Sequence, residues 1–139
     1  MTNADKITDL EAFHNSYHYY IESVKAIAME PAEACAAYGN FNVGTELQMD
    51  CGPAGVYLLN NPACTFTDQQ RDAVASLAKH LEGLPLEARR FTDVKSESIT
   101  RMQHPAWVPL RTEARALLQT LQSATDLTAQ YFSGRHSAA

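Results

Sequence analysis

From Thr8 to Glu30 the chain runs without a glycine or a proline, and apolar groups fall at Ile7, Leu10, Phe13, Tyr17, Tyr20, Ile21, Val24, Ile27 and Ala28. Spacings of three and four residues place these groups on one face of a helix, which is stable only when that face lies against other apolar surface. The composition agrees with a helical chain, since 21 Ala and 13 Leu stand against four Ile and six Val. An apolar fraction of 45% beside 19% charged residues excludes a disordered chain. No apolar run approaches the ~20 residues a membrane span requires.

Beyond this helix the punctuation changes. Pro31 suits a first helical position, and Ala32 to Tyr38 continue as helix formers up to Gly39-Asn40, a left-handed stop. Asn42 is placed to cap a brief helix over Val43 to Met49 that Gly52-Pro53 ends. Gly55 to Asn61 reads as an apolar patch between turns, with a short strand at Val56 to Leu59. Thr67 and Gln70 form a capping box ahead of Val74, Leu77, Ala78, Leu81 and Leu84, which predicts a helix over 68–83. Pro85 restarts a turn containing Arg89 and Arg90, and Ser96 to Gln103 reads as a short helix stopped by His104-Pro105. Trp107 is expected to lock the turn into a last long helix that opens at Pro109, buries Leu110, Ala114, Leu117, Leu118 and Leu121, and extends over Thr125 to Phe132. The expectation is one all-α domain over 1–139, an irregular bundle of three long helical segments plus several short helices, with a flexible tail at 134–139.

Charge is distributed unevenly along the chain. The formal net charge is −5, yet residues 1–70 hold two cations against nine acids while residues 71–139 hold nine against seven. Between Lys25 and Arg71 there is no Lys or Arg, and Glu30, Glu33, Glu46, Asp50 and Asp68 fall in that stretch. A negative surface repels nucleic acid and anionic lipid but steers basic proteins toward itself. An ordinary solvated face is the alternative. Tyr38, Phe41, Tyr57 and Phe66 lie among these acids, a mixture that suits a protein interface as well as rings closing a core beneath a loop.

Cys35, Cys51 and Cys64 form an odd set with no zinc or disulfide spacing, so free thiols filling buried space are expected. The first residues lack the pattern of a secretory signal, which makes a reducing cytoplasm the expected compartment. His14 and His18 lie one helical turn apart and could address one metal, with His80 or His104 as a third ligand; a polar helix flank is the ordinary reading of the same spacing. Tyr17 and Tyr20 share the inward face with Phe13, leaving Tyr19 as the exposed ring. The glycines form no phosphate cradle, and the basic residues of the second half are interspersed with acids.

The stretch Tyr38-Gly39-Asn40-Phe41-Asn42-Val43 with Glu46-Leu47 and Asp50, together with Met102-Gln103-His104-Pro105-Ala106-Trp107-Val108-Pro109-Leu110-Arg111, resembles small acidic immunity proteins of bacteria. These accompany polymorphic and contact-dependent inhibition toxins. The resemblance implies a cytoplasmic, non-enzymatic binder that inactivates one cognate toxin, often a nuclease. The reading of the residues adds a partner surface built from Glu30, Glu33, Tyr38, Phe41, Glu46, Asp50, Tyr57 and Asp68, a basic protein partner, no nucleic acid, no membrane and no cofactor. A small metal-dependent helical-bundle enzyme using His14 and His18 is the alternative.

Overall fold

Thr8 closes the first turn of the helix that the apolar stripe demands, its Oγ1 accepting from the Glu11 amide at 3.1 Å. In the computed structural model, which describes residues 7–39, 42–92 and 94–138, this helix, α1, spans Asp9–Ala28. There follow α2 (Pro31–Ala37), α3 (Val43–Asn60), α4 (Asp68–Glu82), a 3₁₀ turn at Leu86–Ala88, α5 (Lys95–Met102), α6 (Trp107–Thr120) and α7 (Gln122–Ala138). The fold is all-α, with no strand among the described residues. None of the described helices is long and apolar enough to cross a membrane.

Four helices form a ring in the order α1, α3, α4, α6, each packed most closely on the two beside it. Contacts between their ends fix neighbours as antiparallel. Asn61, past the end of α3, donates to the Asp9 carbonyl at the start of α1. Gln48 of α3 donates to the Leu81 carbonyl near the end of α4, while Gln70 at the start of α4 donates to the Thr120 carbonyl at the end of α6. The α1 stripe supplies the centre: Phe13, Tyr17, Tyr20, Val24 and Ile27 are each no more than 1% exposed. The expected capping box of α4 is present, with Thr67 and Gln70 each accepting from the other's amide. Trp107 is buried and its Nε1 donates to the Ala88 carbonyl at 2.8 Å, which ties the start of α6 to the 3₁₀ turn. At the opposite end Tyr17 donates to the Leu121 carbonyl and bonds Thr125 Oγ1, bridging the break between α6 and α7.

The main departure from the sequence reading is α3. Expected to stop at Gly52-Pro53 and give way to a strand at Val56 to Leu59, it is one helix of 18 residues with Pro53 inside it. Pro53 has no N–H for the Met49 carbonyl, but both residues are exposed, so water can satisfy that carbonyl. The opposite face buries Val43, Leu47, Cys51 and Leu58, each no more than 1% exposed. Asn42 precedes this helix in a left-handed conformation, φ 50°, without a side-chain cap; its Oδ1 accepts from the Thr92 amide instead. Among the described residues the bundle therefore has five long helices rather than three, because α3 continues and the last segment divides at Leu121. The backbone of α7 is helical through Gly134 to Ala138.

Close approach at one glycine gives a direct check on this packing. A Cβ on Gly44 would lie 2.6 Å from the Ala88 carbonyl oxygen, whereas nothing lies within 4 Å of one on Gly134. Gly44→Ala should cost about 1–3 kcal/mol through forced separation of α3 from the 3₁₀ turn. Gly134→Ala should be neutral or stabilise by up to ~1 kcal/mol. Urea unfolding midpoints of the two variants measure both.

Candidate functional site

Because α3 is continuous, Glu46, Asp50, Pro53 and Tyr57, spaced four, three and four residues apart, fall in one line along its outer face. Met49, 64% exposed, and Val56, 47% exposed, flank that line, and Tyr57 is 50% exposed. Two grooves run beside the ridge. One, of 340 Å³, lies against α4 and is lined by Gln48, Met49, Gly52, Val56, Ala78 and Glu82. The other lies against α1, where Tyr19 is 74% exposed as the sequence implied.

Among the described residues neither Glu46 nor Asp50 has a cation within salt-bridge range, while Glu22, Glu30 and Glu97 each have a lysine or arginine partner. Desolvation, and secondarily the Asp50 carboxylate, raises the Glu46 pKa above its ordinary value. Tyr38 sits in the same field. Desolvation raises its pKa, the hydrogen bond its hydroxyl donates to Ser23 Oγ at 3.1 Å opposes the rise, and the charges of Asp50, Cys51 and Glu46 add to it.

The structure thus brings together Glu46, Asp50 and Tyr57, with Tyr38 beside them, and separates the rest. Glu30 lies on the α1–α6 side, 3.6 Å from Arg111 and 3.7 Å from Arg115, cations that follow it by some eighty residues and escape any local charge count. Glu33 is exposed on α2, and Asp68 stands in the first turn of α4, where the helix dipole favours an acid. Phe41 lies outside the described residues. Phe66 is a core ring, 7% exposed and packed edge-on against Phe13 and Tyr17. Sequence reasoning missed Met49, Val56, Glu22 and Glu82. The seven-residue spacing of Met49 and Val56 would have signalled a shared face had α3 been read as unbroken.

The histidines have different surroundings. His14 is buried, its Nδ1 is 2.8 Å from Thr128 Oγ1 and its ring stacks on Tyr131 with centroids 4.3 Å apart. His18 packs edge-on against Tyr19 and Phe132. His80 Nδ1 lies 2.6 Å from Glu113, and His104 Nδ1 accepts from the Ala106 amide. Among the described residues no three His, Cys, Asp or Glu are grouped to hold a metal ion. Cys35 and Cys51 are buried, and desolvation pushes both thiols up, away from the thiolate a nucleophile needs. Cys64 is half-buried.

Comparison with known families, curated proteins and solved structures finds no match for this chain.

Desolvation lowers the pKa of His14 from 6.5. The unfolded chain therefore binds a proton at pH values where the native ring stays neutral, so stability falls as pH drops below 6.5 and is recovered toward neutrality. His14→Gln should make the loss in denaturation midpoint between pH 7.5 and 5.5 smaller than in the wild type; an equal loss would show that His14 is not its source. For the thiols, a disulfide exchange reagent should react first with Cys64 and reach Cys35 and Cys51 only on unfolding, as a count of fast-reacting groups would record.

Proposed function

We propose that this chain is a non-enzymatic protein-binding inhibitor, an immunity protein that neutralises a cognate bacterial toxin in the cytoplasm through the outer face of α3. The observation that carries this reading is the pairing of Glu46 and Asp50, one helical turn apart and without a cation among the described residues, with exposed Met49, Val56, Tyr57 and Tyr19 alongside. Like charges at this spacing destabilise an isolated helix by about 0.2–0.5 kcal/mol, so the fold does not ask for them. A basic partner would supply the absent cations. Carboxylates accelerate encounter with such a partner, and exposed rings and thioethers supply apolar anchors once water is excluded. The resemblance of the Tyr38 to Asp50 and Met102 to Arg111 stretches to immunity proteins points to the same class, and a nuclease active site is a basic surface of the required kind.

The partner would be obtained by affinity capture from source-cell lysate at low and high salt, then tested for toxicity with and without this protein. Glu46→Lys with Asp50→Lys should weaken binding by about tenfold or more at low salt, with a smaller loss at high salt, and abolish protection while circular dichroism stays unchanged. Glu30→Gln, which removes only the ion pairs to Arg111 and Arg115, should leave affinity within about twofold. Unchanged affinity in the double variant would overturn the proposed surface.

A further inference from the structure

The groove between α1 and α3 has a volume of 530 Å³, and its walls include Tyr19, Tyr20, Tyr38, Pro53, Glu22 and Asp50. We infer that it receives an arginine side chain of the protein partner, the guanidinium stacking against the open Tyr19 ring and pairing with Asp50. This rests on the partner-binding reading of α3 and specifies what the partner presents there.

Aromatic faces beside carboxylates are the combination that a guanidinium satisfies at once, through its plane and through its fork of N–H donors. Tyr20 is held in the core at 1% exposure, and Tyr38 is anchored through its bond to Ser23 Oγ. Tyr19 is the open ring at the rim. The acids divide the roles. Glu22 is engaged by Lys25 at 3.5 Å, whereas among the described residues Asp50 has no cation in range. An anion would be repelled by both acids, and a purely apolar group would strip water from them without replacing its hydrogen bonds. Lysine fits less well, being a strongly hydrated point charge that cannot stack in a plane or bridge both carboxylate oxygens.

The test titrates the full ¹⁵N-labelled chain with N-acetyl-arginine methylamide, its lysine counterpart and the uncharged citrulline analogue. The arginine probe should shift the amides of Tyr19, Ser23 and Ala54 saturably, the lysine probe should bind more weakly, and citrulline should leave them in place. Asp50→Asn and Tyr19→Ala, both at exposed positions, should each reduce arginine affinity by about fivefold or more with the spectrum elsewhere unchanged. Equal shifts with citrulline, arginine shifts that map elsewhere, or full affinity in Asp50→Asn would overturn the inference. If the arginine probe fails while reversal of Glu46 and Asp50 still abolishes toxin binding, this inference falls and the partner surface stands. If the probe binds as described but the reversal leaves toxin binding intact, the groove stands and the functional reading falls.

Discussion

Pro53 in the middle of α3 is the constraint around which the bundle is arranged. A proline inside a helix costs about 3 kcal/mol in a host that gains nothing by continuing. Here the chain gains a great deal, because α3 is the shared neighbour of α1 and α4, and stopping at Gly52 would expose Leu58 and leave part of both helices uncovered. Burial of Leu58, beyond the proline, contributes about 1.5–3 kcal/mol, comparable with the cost of the proline. Two local details ease it further. Gly52 has no Cβ to meet the proline ring, and Pro53 faces solvent, where water can reach the carbonyl it leaves free.

The inner face of the same helix explains how closely its neighbours approach. Gly55 sits where a Cβ would be 3.1 Å from Val74 and 3.2 Å from Tyr20, so α1, α3 and α4 meet around an absent side chain. Gly44 performs the same service against the 3₁₀ turn, whose Ala88 carbonyl also holds Trp107. With one side committed to core, the outer side is free to carry residues that stability does not need. Glu46, Asp50 and Tyr57 occupy it, and the proposed partner surface is a consequence of α3 being unbroken.

Much of the fold was legible because its signals are local or periodic. The α1 stripe from Phe13 to Ile27, the Thr67–Gln70 box and the separation of Tyr19 from Tyr17 and Tyr20 depend on spacing within one helix, and each is found as expected, whereas Ile7 and Leu10 at the head of the stripe are exposed. The role of Trp107 was legible for the same reason, since it sits between two prolines at a helix start. What failed was the weighing of local against tertiary energy: Gly52-Pro53 is a strong local stop, and the burial of Leu58 together with the packing of α3 on α1 and α4 offsets it. The acidic surface failed differently. A count along the chain groups Glu30, Glu33 and Asp68 with Glu46 and Asp50, but grouping in space depends on the ring of helices, which places Arg111 and Arg115 beside Glu30 and, among the described residues, no cation beside Asp50.

The central claim is that α3 remains helical across Pro53, and the ¹³Cα secondary shifts of residues 43–60, with medium-range nuclear Overhauser contacts, test it most directly. Continuity predicts positive, helical shifts from Val43 through Leu59, with i to i+3 contacts joining Cys51 to Ala54 and Gly52 to Gly55 across the Gly52-Pro53 step. A change to negative shifts over Val56 to Leu59, with those contacts missing, would mean that the helix ends at Gly52. The line of Glu46, Asp50 and Tyr57, and the surface built on it, would then not exist.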